Sequence, residues 1–180
     1  MGRLIGSVGL APGSDSGFDL DTKGQIHGYT STQYALDVGN DSDILVCDSG
    51  EASGLKYTAN TTSFVLACSD EDSDLTTGTK LTWRMPYGFT VTAVRASLTT
   101  AATGGTLLTV DINESGTTIL STKITIDASE TTSTTAATPP VISDSALADD
   151  AQMTIDIDNI GSTNPGKGLK VYIIGYRVAH

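Results

Sequence analysis

Three groups of side chains in this sequence carry residue types that chemistry requires. Asp70, Glu71, Asp72 and Asp74 gather oxygen ligands in one short stretch, the raw material of a Ca²⁺ loop. An EF-hand loop also needs a glycine at its sharp turn and a closing bidentate Glu at fixed positions. Both are missing, so the cluster reads as a solvated loop. Asp111, Asp156 and Asp158 occupy the polar phase of two alternating runs, and paired carboxylates do acid–base work in glycosidases. Alternation alone places carboxylates on the solvent face of any half-buried strand, and that is the expectation here. Nucleophilic catalysis needs a base beside the nucleophile. The two histidines are His27, flanked by Gly28, and His180 at the last position. Neither is placed as a triad base, and His27 is expected to satisfy a turn or a contact between copies.

The glycines of Gly161-Ser-Thr-Asn-Pro-Gly-Lys-Gly168 suggest a phosphate loop, but the spacing GxxxxGK[ST] is absent and the segment joins two strands. A hairpin loop is expected. Cys47 and Cys68 form no CxxC and have no neighbouring histidine, which argues against zinc. Each closes an apolar run and reads as a small buried hydrophobe; a disulfide between them is left open, less expected in a reducing compartment. Trp83, Tyr87 and Phe89 bracket Pro86. Trp83 shares its phase with Leu81 and Met85 and belongs to a core, whereas Tyr87 falls in the turn and is expected at the surface, where a ring grips a sugar. No catalytic residue, metal ligand or cofactor is assigned.

The elements that position these groups are strands. Leu81, Trp83 and Met85 alternate with Lys80, Thr82 and Arg84, the period-two signature of a half-buried strand. Phe89 and Val91 face one way, and after Ala93 the phase slips to Val94, Ala96 and Leu98, as a bulge produces. Leu108, Val110 and Ile112 alternate in the same manner; Asn113-Glu-Ser-Gly116 then turns the chain into Thr118-Ile-Leu120, a hairpin signal. Ile124 and Ile126 follow, then Met153, Ile155 and Ile157. Gly168 to Val178 is apolar on both faces, as a central strand is. Ser143 to Asp150 would place two aspartates at the negative end of a helix, so a turn or short 3₁₀ piece is expected. About eight strands with no convincing helix form the pattern of a β-sandwich or jelly roll.

Before residue 61 the text differs. Residues 18–60 carry Gly24, Gly28, Gly39, Gly50 and Gly54 with few apolar residues between turn signals. Strands this short rarely fold alone; sharing Ile26, Leu36, Val38 and Leu45 around a threefold axis would supply the missing burial. Residues 1–17 are rich in Gly, Ser and Pro without period and should not form a core of their own. Arg3, Leu4, Ile5, Val8 and Leu10 are their candidate attachment residues.

Composition narrows the function. The 180 residues hold 10 Lys and Arg against 21 Asp and Glu, a net charge of −11. Nucleic acid and anionic membrane surfaces both require cations, so neither is an expected partner. No stretch approaches the ~20 apolar residues of a spanning helix, and the glycine-broken first ten residues do not read as a secretory signal. A protein soluble when made and assembled in a host cytoplasm is expected.

Two stretches resemble known proteins. Phe18-Asp-Leu-Asp-Thr-Lys-Gly-Gln-Ile-His-Gly-Tyr29, with Ala35 to Asn40, Ile44 to Gly50 and Gly54-Leu-Lys-Tyr57, resembles a segment that recurs in bacteriophage tail-fibre and other virion surface proteins. Leu66 to Glu71, Leu75 to Lys80, Arg84-Met-Pro-Tyr87, Ala93 to Leu98, Thr109 to Asn113, Ile119 to Lys123 and Gly168 to Tyr172 are similar to the C-terminal β-domain of many phage tail and structural proteins. The resemblance implies a homotrimeric virion component and transfers no catalytic motif.

The expectation is therefore an all-β chain. A jelly-roll-like antiparallel β-sandwich (61–180) follows a short trimeric β-stalk (18–60) and an extended N-terminal attachment arm (1–17). The expected role is a non-enzymatic phage structural protein of tail-fibre type, touching host-surface glycans. Contact is expected through loops at one end of the sandwich: Tyr87 with Gly88; Asn113, Glu114 and Ser115; and Asn164 with Lys167. The alternative is a trimeric capsid decoration protein that stabilises the head.

Overall fold

The computed structural model describes residues 26–29, 33–37, 39–40 and 43–178. The arm residues Arg3, Leu4, Ile5, Val8 and Leu10 lie outside the described residues, as do Val38 and His180. The chain divides into two compact units between Thr58 and Ala59.

The first unit holds two antiparallel ribbons. β1 (Ile26–Tyr29) pairs with β2 (Gln33–Leu36), and β3 (Asp43–Cys47) with β4 (Leu55–Ala59). Asp48 organises the return between β3 and β4. Its carboxylate accepts the Gly50 N–H at 2.8 Å and pairs with the Lys56 ammonium, and its own N–H donates to the Gly54 carbonyl at 2.8 Å. Tyr57 covers Gly39 so closely that a Cβ there would meet its ring at 2.6 Å. These are local, hydrogen-bonded ribbons. Among the described residues of this unit, no side chain whose burial is defined is buried. Ile26 and Leu36 are half-buried, and Ile44 and Leu45 remain 42% and 39% exposed.

The second unit is a two-sheet antiparallel sandwich. Its strands are β5 (Thr61–Ala67), β6 (Gly78–Arg84), β7 (Phe89–Ser97), β8 (Leu108–Glu114), β9 (Thr117–Thr118), β10 (Leu120–Thr122), β11 (Ile124–Ile126), β12 (Val141–Ile142), β13 (Ala146–Leu147), β14 (Gln152–Asn159) and β15 (Lys170–Arg177). One sheet runs β13-β7-β15-β5 and the other β11-β8-β14-β6, with β9 also on β8. The first half of the unit thus lies beside the second half in reverse order: β5 by β15, β6 by β14, β7 by β13, β8 by β11. A long antiparallel ribbon, folded at the β8–β11 return and rolled so that successive pairs fall in opposite sheets, is a jelly roll.

Alternation builds the core. Phe89, Val91, Val94, Ala96, Val171 and Ile173 from one sheet meet Leu108, Val110, Ile112, Met153, Ile155 and Ile157 from the other, all buried. Each fully buried aliphatic side chain contributes roughly 1.5–3 kcal/mol. Trp83 packs against this core as its phase predicts. The bulge expected near Ala93 is present. On β15, Ile174 pairs with Ala93 but Gly175 pairs with Val91, leaving Thr92 as the extra residue. As expected, β15 is central.

Two expectations are corrected. Ser143 to Asp150 forms neither a lone turn nor a 3₁₀ piece. Asp144 accepts the Ala146 N–H at 3.1 Å, and Ala146–Leu147 then add a short edge strand to β7. The buried Leu147 side chain drives this choice, since only the sheet edge gives it a core. The 3₁₀ turn of the described residues is instead Ser133–Thr135. Second, residues 161–168 are not a hairpin loop, because β14 and β15 lie in different sheets. They cross between sheets and bridge to the preceding loop, Thr100 to Lys167 and Thr103 to Asn164.

Candidate surface-contact site

The strand register sorts the expected contact residues onto opposite ends of the sandwich. Gln152 pairs with Arg84, Met153 with Glu114, Arg177 with Phe89 and Tyr176 with Thr61. Tyr87, Gly88 and the β8–β9 turn therefore share one end with the first and last strands' outer termini. Asn164 and Lys167 lie at the other end, with the loops after β5, β7 and β11. The single contact end read from the sequence is corrected to two, because the rolled ribbon reverses direction at every strand.

At the terminus-bearing end, Tyr87 is half-buried rather than displayed. Its ring lies 6.1 Å from Phe64, and the Arg177 guanidinium sits 4.8 Å over it. The Gly88 carbonyl accepts the Val178 N–H at 2.9 Å. The β8–β9 hairpin is as expected, with Asn113 opposite Thr118 and Glu114 opposite Thr117. Ser115 and Gly116 take positive φ values of 49° and 84°, as a tight two-residue return demands. Ser115 is exposed, but Glu114 is engaged, its carboxylate accepting the Ala148 N–H at 2.8 Å. Beside this turn opens a cavity of about 530 Å³ lined by Glu114, Ser115, Thr118, Asp144, Asp149 and Asp150. Its four carboxylates make it an acceptor surface for hydroxyl or ammonium groups. The sequence offered the aspartates only as a poor helix end; the cavity arises because β13 carries them across from the β8–β9 turn.

Asp111 is buried, correcting its expected place in solvent. It lies on the outer face of its sheet, but the chain after β8 folds over it. Thr118 donates to one carboxylate oxygen at 2.5 Å and Lys123 approaches the other at 2.9 Å. Lys123 also reaches Asp158 at 2.5 Å, and these two carboxylates, Asp158 first, hold its ammonium above the ordinary lysine range. Asp156 accepts the Asn113 amide at 2.6 Å and the Thr154 hydroxyl at 3.3 Å. The Asn113 side chain is thus spent inside the sheet's polar face rather than offered to a partner.

At the opposite end the acidic loop is clamped. Asp70 accepts the backbone N–H groups of Ser73 at 2.6 Å and Asp72 at 2.9 Å, which hold its carboxyl below the usual range. Glu71 pairs with Lys170 and accepts the Thr99 hydroxyl, which lower it likewise, Lys170 foremost. Lys167 donates to the Asp72 carbonyl at 2.7 Å and lies 3.6 Å from Asp74. Asn164 accepts the Gly166 N–H at 3.1 Å. Both expected contact residues here are tethered, which fixes the shape of this rim. Among the described residues no group of three or more His, Cys, Asp or Glu side chains is placed to hold a metal ion. Cys68 is buried and its thiol pushed up to about 11 by burial. Cys47, expected to be buried, is exposed on its two-stranded ribbon; both cysteines are free. No family model, no curated protein and no solved structure matches this chain.

Proposed function

We propose that this chain is a non-enzymatic structural protein of a bacteriophage virion, a trimeric surface module of tail-fibre type. Its N-terminal segment attaches it to the particle, and its jelly roll faces the host. The observation that supports this reading is the unequal completeness of the two units. The jelly roll has a continuous core from Cys68 to Ile173. In the ribbons before it, no side chain whose burial is defined is buried, and Ile44 and Leu45 are exposed. An isolated two-stranded ribbon is marginal in water, and ordering its backbone costs about 1–2 kcal/mol per residue. Packing the same ribbon from three chains around one axis offsets that cost.

The first and last strands of the jelly roll both have their outer termini at one end. The opposite rim, built from the loops after β5, β7, β11 and β14, is free of termini, and host contact is assigned to it. Weak contact at one site is amplified when three copies engage a surface together.

Light scattering on the purified full chain tests the assembly: three chains per particle is the expected mass, and a monomer at micromolar concentration defeats the proposal. Cryo-EM of the virion tests the location. Density on the tail supports the fibre reading, whereas a shell-bound trimer whose loss makes capsids leak DNA replaces it with decoration. Removing residues 1–17 should leave the trimer folded but absent from virions.

A further inference from the structure

The two sheets of the jelly roll differ in charge. The strands β5, β7, β13 and β15 contain Arg95, Lys170 and Arg177 and no carboxylate, in a chain of net charge −11. Lys170 is paired to Glu71 and Arg177 lies over Tyr87. Among the described residues, Arg95 is the one lysine or arginine with no ion pair, hydrogen bond or ring contact. It stands exposed on the outer face, directly across the sheet from Tyr172.

Arg95 borders a concave site of about 240 Å³ with Ser97, Thr132, Thr134, Tyr172 and Ile174. The floor is rigid sheet: Arg95 and Ser97 on β7, Tyr172 and Ile174 on the central β15, with the Tyr172 and Ser97 hydroxyls 3.2 Å apart. The wall is the 3₁₀ turn, locked in place by the buried Ser133, whose hydroxyl accepts the Ala96 N–H at 2.9 Å. That lock sets Thr132 and Thr134 at the rim, their hydroxyls 3.0 Å apart. The volume is below the ~300 Å³ at which drug-sized sites begin, so it takes a single ring rather than a chain of them. The site also lies in the half of the sheet near the free rim, since β7 ends there.

We propose that this pocket binds one carboxylate-bearing sugar residue of a host-surface glycan. A planar guanidinium takes a carboxylate in two parallel hydrogen bonds. The Tyr172 ring and Ile174 offer an apolar face to the sugar's C–H groups, and the rim hydroxyls exchange hydrogen bonds with its hydroxyls. The sheet that floors the site carries no carboxylate, and Glu130, beside the wall, is engaged by the Thr135 hydroxyl. The assignment rests on the adhesion reading above and names its ligand class.

The test titrates the full-length protein with glucuronate and, at the same concentrations, with glucose, following amide chemical shifts by NMR. Saturable shifts around Arg95 and Tyr172 with glucuronate alone are expected, weakening as NaCl is raised. Arg95→Gln should reduce affinity roughly tenfold or more, the worth of a charge-assisted pair, with thermal stability unchanged. Tyr172→Ala should reduce it with Arg95 retained. Equal response to both sugars, no response to glucuronate, or unchanged affinity in Arg95→Gln overturns the assignment. If Arg95→Gln instead dissociates the assembly, the face is an interface between copies and the sugar site is wrong. Oligomeric mass and virion location are measured separately, so a failed sugar site leaves the virion reading standing.

Discussion

Among the described glycines, Gly175 is the one where an added methyl group would meet the backbone most closely. It sits on the central strand β15 opposite the β7 bulge, where a Cβ would stand 1.9 Å from the Thr90 carbonyl oxygen and 2.7 Å from Cε1 of Phe89. Reaching an ordinary 3.4 Å contact requires the carbonyl to retreat by about 1.5 Å. It cannot do so freely, because β7 is held between β13 and β15. Phe89 is fully buried with its ring edge-on to Phe64 at 5.1 Å, so it cannot move either. Overpacking of this kind costs about 1–3 kcal/mol, and a lost ladder hydrogen bond adds about 1 kcal/mol. We expect Gly175→Ala to destabilise the jelly roll by about 3 kcal/mol and lower its Tm by roughly 10 °C. The control is Gly116→Ala. Gly116 has φ +84° but nothing within 4 Å of a Cβ, so only the left-handed backbone cost of about 1–2 kcal/mol applies. Thermal and urea unfolding at matched protein concentration, followed by fluorescence of the single tryptophan, Trp83, measures both. If Gly175→Ala proves no more harmful than Gly116→Ala, the β7–β15 register and the bulge at Thr92 are wrong.

Three further outcomes are expected. Lys123→Met leaves the buried Asp111 without its ammonium and should cost about 1–2 kcal/mol, less than a fully buried pair because Lys123 is 40% exposed. Adding Asp111→Asn should recover most of that loss in a urea double-mutant cycle, and additive losses would refute the coupling. In a Cys47→Ser variant, the remaining Cys68 thiol should resist Ellman's reagent until the protein unfolds, since it is buried and its thiol is pushed up to about 11; rapid labelling of the native protein would contradict its burial. Finally, Lys170 and Thr99 hold Glu71 below its ordinary value of 4.5. The stability it contributes is complete above that value and is lost as pH falls through the lowered folded one. The difference in Tm between wild type and Glu71→Gln should therefore be largest near neutral pH and shrink as the pH is taken below 4.5. A constant difference would show that the carboxylate's charge plays no part.

What the sequence determined by itself was everything that period and turn chemistry dictate. The alternation of Leu108, Val110 and Ile112 and of Met153, Ile155 and Ile157 names the buried face of each strand. The slip after Ala93 announces the bulge, and Asn113 to Gly116 announces the β8–β9 return, because a two-residue turn is a local event. Tertiary structure decided which strands are neighbours. A period of two says which way a side chain points but not which strand lies beside it, so the crossing of residues 161–168 between sheets and the opposite placement of Ser115 and Asn164 were not legible. Side-chain environments followed the same division. Asp111 reads as a solvent-facing carboxylate until Lys123 and Thr118 fold over it, and Arg95 reads as any polar-phase residue until the Ser133 turn raises a wall beside it. The cover over Asp111 comes with the return of the chain after β8, Thr118 lying only seven residues on, whereas the wall beside Arg95 needs a contact 37 residues apart, Ala96 to Ser133; neither is a matter of strand period.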